Sequence, residues 1–374
     1  MKVALVQSPF IPLNLEVCGG VERTVLAELD HLERAGCDVT LYVSGLSGGS
    51  DPRIRVIKSE NPSHRLWMWP FYLRVLRAAR DADVIHAHYA PPFALLDPRR
   101  TLVHLQGLAI GWLPYYGRVP RRYWSAHYVC CSQHTRTSFL ERYPTLPAER
   151  VGVLYNGVDP ELFAPPEKAR NGPKVRMGYH SLWKEWKGVF DLLEAAAHLR
   201  QRGLDFELSL AGSAFFEGGD AAECEAVDRQ VRAQAARLGN VEIVGALSHP
   251  QLAAHLRTLD IGVFPSRELE PFGIAAVEMM STGLPVVGYD VAGLRETCPD
   301  GIAGYRVPPG NVRAMADKLE RLVRDRSLRL AMGGRARQHV LGHFTWHHHI
   351  AGLLPLYEAI ADGQAPRRAA RSRV

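Results

Sequence analysis

Short apolar runs alternate along this chain with longer stretches whose apolar residues return every three or four positions. Val3–Val6, Asp38-Val-Thr-Leu-Tyr-Val43, Ile54-Arg-Val-Ile57, Asp83-Val-Ile-His-Ala-His88 and Thr101-Leu-Val-His-Leu105 are too short for helices and rich in β-branched residues. They read as buried strands. Tyr128–Ser132 and Val151–Leu154 close this first series. A helix is expected over about Val21–Arg34, with Leu26, Leu29 and Leu32 toward the core and an end near Gly36. Pro165-Pro166 through Asn171-Gly-Pro173 reads as a linker. A second series then begins: strands at Lys174–Tyr179, Phe206–Leu210, Val241–Val244, Asp260–Phe264 and Leu284–Val287, running on toward Asp290. Helices are expected from Lys187-Gly188, with Leu192, Leu193 and Ala196 inward, and over Ala221–Leu238, Gly273–Thr282, Val312–Val323 and Leu328–Leu341. The fold class is α/β.

One loop of the second series holds the densest chemistry. In Ser266-Arg-Glu-Leu-Glu-Pro-Phe-Gly273, Glu270 follows a strand, Pro271 fixes the entry, and Phe272-Gly273 lets the backbone pass close to something bulky. The first amides of the next helix have no partner within it. Outside the strand ends of an open α/β sheet, such a helix start favours an anion. Glu278 lies about one and a half turns beyond Gly273. Ionised carboxylates only accept hydrogen bonds, so this pair suits a sugar hydroxyl and a ribose diol. Solvated glutamates on a buried strand–helix unit are the plainer alternative, but a Glu-Pro-Phe-Gly loop does nothing obvious for packing. In the first series Cys18-Gly19-Gly20 precedes a helix. That geometry suits a phosphate, though a glycine pair there is also a simple turn.

Composition changes the picture only at the margins. A chain of 374 residues is long for one core and predicts two domains. Its 47% apolar and 22% charged residues are those of a globular protein. The net charge of +6 raises nucleic acid as a partner, but Arg367, Arg368, Arg371 and Arg373 carry four of those charges in a tail without acids. The expectation is no nucleic-acid partner. Cys18, Cys37, Cys130, Cys131, Cys224 and Cys298 have no zinc spacing and read as reduced, mostly buried thiols of a cytosolic protein. Met1–Val6 imitates a signal peptide, but Gln7 and Pro9 interrupt it, and no apolar run is long enough to span a bilayer.

Glu270-Pro-Phe-Gly273 with Glu278, between Phe264-Pro-Ser266 and Gly283-Leu-Pro-Val286, resembles the E-x7-E signature of retaining glycosyltransferases of family four, which have the GT-B fold. Asn156-Gly-Val-Asp159 with Phe163 resembles the family's hinge, Gly301–Val307 its terminal hairpin, and Phe344-Thr-Trp346 through Ile360 its last helix, which crosses back to the first domain. The resemblance implies two doubly wound, Rossmann-like domains facing across a cleft. Residues 1–165 would be the acceptor-side domain, 166–173 a linker, 174–343 the nucleotide-sugar domain, 344–363 the crossing helix and 364–374 a basic tail. It also implies sugar transfer with retention, from a nucleotide sugar, UDP being the base, to a hydroxyl of a small-molecule, saccharide or lipid-linked acceptor.

By the same resemblance Glu278 takes the ribose diol and Lys187 the diphosphate. The amides of Phe272, Gly273 and Ile274 complete the phosphate cradle with Gly19 and Gly20, and Glu270 orients the sugar. Gly212 faces the donor, and Leu247, within Gly245–Ser248, lies near the base. Two positions depart from the family. Gln106 stands where a His is usual; it can bond a sugar hydroxyl but cannot take up charge. No Arg occurs near His180-Ser-Leu182; Lys184 either supplies that cation as a flexible point charge or is a solvated loop lysine. Glu270, Gln106 and Lys187 form the expected catalytic set. Cations and amides aimed at the leaving phosphate require neither metal nor cofactor.

Other features carry alternatives. His86 and His88 share a strand face with each other, and read as structural; His104 stands two residues before Gln106. His64–Arg80 and Gly111–Trp124 mix aromatic and basic residues. They suit an acceptor wall or peripheral contact with an anionic membrane; for 70–80 a helix with apolar core face and solvated Arg is favoured, for 111–122 a functional loop. His339, His343 and His347 recur at i, i+4 beside His348 and His349, with no carboxylate or cysteine, so a polar helix face is expected there. A nucleotide-sugar epimerase or hydrolase and a non-catalytic sugar-nucleotide binder are the competing functions. The oligomeric state stays open.

Overall fold

The structure, a computed structural model, describes residues 1–10, 12–16, 19–58, 69–90, 92–107, 121–168, 170–215, 219–267 and 270–363. The chain forms two compact units, Met1–Gly157 with Trp346–Val374, and Val158–Thr345.

The first unit is built on a seven-stranded parallel sheet, ordered Ile54–Val56, Asp38–Val43, Lys2–Val6, Val84–His88, Thr101–Leu105, His127–Cys130, Val151–Val153. Period-two alternation sends successive side chains to opposite faces. Val3 and Leu5 pack with Val25, Leu29 and Leu32 of helix Gly20–Arg34 and with Leu353 and Tyr357 of helix Trp346–Ala361. Ala4 and Val6 pack with Phe71, Tyr72 and Val75 of helix Trp69–Ala78. Both faces are covered, so these strands read as continuous apolar runs. Helix Trp69–Ala78 turns its arginines outward as expected, although Leu73 is 53% exposed.

The second unit has a six-stranded parallel sheet: Val241–Gly245, Phe206–Ala211, Val175–His180, Ile261–Phe264, Val286–Tyr289, Gly304–Val307. In chain order this is 3-2-1-4-5-6, the doubly wound arrangement. Leu192, Leu193 and Ala196 of helix Val189–Gln201 are buried.

Several expectations are corrected. In helix Gly20–Arg34 the buried stripe runs through Thr24, Val25, Glu28, Leu29 and Leu32, while Leu26 is only partly covered. A charged residue thus holds a core position. The strand expected at 284–287 is paired over Val286–Tyr289, because Pro285 has no N–H for the ladder. The stretch at 301–307 is not a hairpin; after a tight turn, Gly304–Val307 lies parallel to Val286–Tyr289 as an edge strand. The boundary expected at 165 falls earlier. Residues 158–165 belong to the second unit, where Arg257 donates to the carbonyls of Leu162 and Ala164 and Arg337 to those of Pro160 and Phe163. The returning helix begins at Trp346, with Phe344 and Thr345 still in the second unit.

In the second sheet the order reverses between Val175–His180 and Ile261–Phe264. Ligands of open α/β sheets bind outside the carboxyl ends of the strands at such a reversal. The two loops leaving it, 181–188 and 265–273, are those that carry Lys184, Lys187 and Glu270.

Candidate active site

Lys187 ends a single 3-10 turn, Glu185–Lys187, and Gly188 follows with φ of 74°. A Cβ on Gly188 would lie 1.9 Å from the Pro265 carbonyl oxygen, so only glycine allows the two loops this approach. The Arg267 amide donates to the Trp186 carbonyl at 2.8 Å and ties the loops again. Lys187 Nζ then reaches Glu270 Oε2 at 2.5 Å, and Ser266 Oγ lies 3.4 Å from the same oxygen. Their side chains are only 14% and 11% exposed, which strengthens the attraction over that of a solvated pair.

A second ion pair fixes the frame. The Arg267 guanidinium binds Asp191, which also accepts from the Tyr289 hydroxyl at 2.6 Å. Hydrogen bonding to Asp191 raises the pKa of Arg267. Behind the loop, the Gly293 amide donates to the Glu270 carbonyl at 2.9 Å, and a Cβ on Gly293 would sit 2.5 Å from Phe272 Cα. Phe272 is buried and meets Phe344 edge-on at 5.7 Å. Nothing in the sequence marks Asp191 or Tyr289 as supports of this loop, because their partners are distant in the chain.

Helix Ile274–Ser281 starts from Gly273, whose φ is 84°, with no side-chain cap on its first amides. Those N–H groups have no acceptor within the helix. Glu278 is 2% exposed. His249 Nε2 lies 3.1 Å from its Oε1, and His180 Nε2 3.5 Å from its Oε2 and 3.2 Å from the Ala275 carbonyl. A carbonyl only accepts, so His180 Nε2 carries a proton. Phe163 supports His249 from the side at 4.9 Å. Sequence reasoning missed both histidines as partners of Glu278; the one available signal was that His249 opens a helix directly after Gly245–Ser248.

The remaining expected residues fall at strand ends. Lys184 follows Val175–His180, Gly212 follows Phe206–Ala211, and half-buried Leu247 follows Val241–Gly245. Gly212 has φ of 127°, and a Cβ there would lie 1.9 Å from the Ser181 carbonyl oxygen. The structure thus joins Lys187 to Glu270 directly, and strings Glu270, Phe272, Gly273, Ile274 and Glu278 along one loop and helix. Glu268 and Leu269 lie outside the described residues, as do residues 64–68 and 111–120 of the two aromatic-basic stretches and the basic tail.

Gly19, Gly20 and Gln106 belong to the first unit. Gly19 precedes helix Gly20–Arg34 in an extended conformation, and a Cβ there would meet Glu22 Oε2 at 2.6 Å, the end of a flexible side chain that can swing aside. Gln106 is buried, accepts from Asn156 Nδ2 at 2.8 Å and contacts His104 Nε2 at 3.0 Å. It is the end of a buried network. Glu28 Oε2 meets His88 Nε2 at 2.7 Å, Glu28 Oε1 meets His349 Nε2 at 3.0 Å, and His86 Nε2 meets His104 Nδ1 at 3.2 Å. His86 and His88 lie wholly buried within this network, and His349 is not on a polar face: it is 1% exposed. Burial would raise the Glu28 pKa, yet His88 and His86 hold it well below the usual carboxylate range. Burial lowers His104 to about 4, so it is neutral.

Two family models together span most of the chain. Glycosyltransferase Family 4 matches residues 18–162, and Glycosyl transferases group 1 matches residues 163–339. The chain is a family four glycosyltransferase. Its sequence is 29% identical over 324 residues to the D-inositol 3-phosphate glycosyltransferase 1 of Catenulispora acidiphila, covering 78% of this chain and 76% of that one. Its fold is similar to the sucrose-phosphate synthase of Thermosynechococcus elongatus (TM-score 0.79, 20% identity, 97% and 100% of the two chains). It is also similar to Anabaena Alr3699/HepE in complex with UDP (TM-score 0.72, 20% identity, 96% and 100%). This glycosyltransferase therefore has the GT-B architecture of two Rossmann-like units. Among the described residues no helix is long and apolar enough to cross a membrane.

Proposed function

We propose that this glycosyltransferase transfers a sugar from a UDP-linked donor to a hydroxyl of a small-molecule, saccharide or lipid-linked acceptor, with retention at the anomeric carbon. The observation that carries the reading is the Lys187–Glu270 pair at the strand ends of the second unit, next to an uncapped helix start. Without donor, each charge satisfies the other. A bound diphosphate competes for Lys187 and releases the Glu270 carboxylate to accept from sugar hydroxyls. Lys184 adds a second cation, the amides of Gly273 and Ile274 point at phosphate oxygens, and Glu278, backed by His249, accepts from the ribose diol. Leu247 lies against the base. In the first unit Gly19 and Gly20 offer bare amides to phosphate, and Gln106 offers its amide to a hydroxyl. The relative named for D-inositol 3-phosphate favours a small polyol as acceptor.

In the reaction the bond from the anomeric carbon to the phosphate oxygen breaks and a bond to the acceptor oxygen forms on the same face. The acceptor's proton passes to the leaving phosphate, so no side chain is needed as nucleophile or base, and no cofactor takes part. Preorganised cations and amides stabilise the charge that grows on the phosphate. The test is a panel of UDP-, GDP- and dTDP-sugars scored by protection against thermal unfolding, followed by product analysis with polyol acceptors. UDP-sugars raise the melting temperature through linkage. A panel in which none does, or release of epimer or free sugar from donor alone at the full rate, overturns the reading.

A further inference from the structure

The first unit holds five ionisable groups with no place in the transfer reaction. Glu28, His86, His88 and His104 are wholly buried, and one ligand atom from each lies within 4.8 Å of all the others. His349 stands beside them. We propose that Glu28, His86, His88 and His104 form a structural site for a zinc-class divalent cation.

The chemistry of the donor set is the first argument. Three imidazoles and one carboxylate are a nitrogen–oxygen set suited to zinc, with metal–ligand distances of about 2.0–2.2 Å. Tetrahedral ligands at that distance stand about 3.3–3.5 Å apart. Two of the separations here are of that order: 3.2 Å between His86 Nε2 and His104 Nδ1, and 3.4 Å from His104 Nδ1 to Glu28 Oε1. His88 Nε2 is nearer to Glu28, at 2.7 Å, as a hydrogen bond requires, and would move outward on loading.

The surrounding groups supply the second argument. Ligating histidines are oriented by a hydrogen bond at the other ring nitrogen, and ligating carboxylates by a donor to the other oxygen. Tyr357 Oη lies 2.7 Å from His86 Nδ1, and the Gln106 amide 3.0 Å from His104 Nε2. The Gln106 amide turned end for end would accept from that nitrogen and leave His104 Nδ1 a lone pair; its partner Asn156 has a buried Oδ1 with no hydrogen-bond partner, ready to receive the turned amide. His349 Nδ1 donates to the Tyr155 carbonyl at 2.7 Å, and its Nε2 lies 3.0 Å from Glu28 Oε1, beside the four ligands. His88 is the one histidine of the set that lacks such an orienting group, its buried Nδ1 having no hydrogen-bond partner.

Because every ligand is buried, the ion enters as the unit folds and leaves when it unfolds. The experiment is to express the full chain in zinc-supplemented medium, dialyse it against a chelator, and unfold it in guanidinium with a metallochromic indicator. The expected release is about one equivalent of zinc, none of it before unfolding. Exposed His347 and His348 could bind zinc adventitiously, so H347A/H348A is expected to keep that equivalent, whereas Glu28→Gln and His88→Asn lose it. Wild-type protein that releases less than about a tenth of an equivalent overturns the proposal, whether or not the buried-site variants fold. So does loss of the metal in H347A/H348A. The readout is metal content, independent of which sugar is transferred.

Discussion

Glu28 and Glu270 are both buried carboxylates facing cations or would-be cations, yet they are set up for opposite purposes. Glu28 has no exposed surface and is enclosed by histidines from two neighbouring strands and from helix Trp346–Ala361. Its partners can be exchanged only by unfolding. Glu270 stands on a loop at a strand end, with one flexible lysine as counter-ion and part of its surface open. Its partner can be exchanged for a ligand. A short ion pair by itself does not separate these cases. Position relative to the sheet does: mid-strand groups are surrounded by the fold, strand-end groups face what lies outside it.

Substitutions can break this contrast from either side. The largest effect is expected from Lys187→Ala, which removes charge from the leaving phosphate and should lower kcat by about a thousandfold with little change in unfolding midpoint. If steady-state assays show a loss below threefold, the pair is a structural bridge like that of Glu28. Glu28→Ala should do the reverse. Leaving the histidines buried without their carboxylate should cost about 3–5 kcal/mol in guanidinium unfolding, while the donor KM of the folded fraction is unchanged.

Glu278→Gln keeps the shape but loses the charge and should raise the donor KM by about ten- to a hundredfold, the worth of hydrogen bonds to an ionised acceptor. Gly293→Ala sharpens the point, since it touches no ligand. Its Cβ would press on the Phe272 backbone, displacing the Glu270 loop, lowering kcat/KM about tenfold and costing about 1–3 kcal/mol of stability in guanidinium unfolding. The smallest effect concerns pH, where the two units should behave alike. Burial, then Arg150, lowers His127 to about 4 in the first unit, and burial, then His343, lowers His339 to about 4 in the second. Between the unfolded value near 6.5 and about 4, the unfolded chain binds a proton that the folded one does not. Stability therefore falls as pH drops through this window. Urea midpoints at stepped pH should show His127→Gln removing up to about 1.4 kcal/mol per pH unit of that slope.

Much of the fold was legible along the chain because its cues are local. A run such as Val84-Ile-His-Ala-His88 needs only its own residues to declare a strand, and Gly273 or Gly188 declares a turn by lacking a Cβ. The loop from Glu270 to Glu278 was legible for the same reason: proline, glycine and two carboxylates at fixed spacing predict a helix start with acceptors beside it. What was not legible is who meets whom. Lys187 and Glu270 were both expected at a diphosphate and sugar, but nothing local showed them bonded to each other across 83 residues. The histidines of the first unit were read separately, as two structural residues and a polar helix face, while Glu28 went unremarked because a glutamate on a helix is ordinarily solvated.

The sequence by itself determined the element types, the two series of strands, and the chemistry placed at the strand ends. Backbone period and turn conformation depend on neighbours a few residues away. The tertiary structure alone decided that His86, His88 and His104 close around Glu28 with His349, 321 positions distant from that carboxylate, and that His249 and His180 serve Glu278. Those meetings follow from strand order and helix docking. They are chosen by burial summed over a whole unit, and no local window of residues contains that sum.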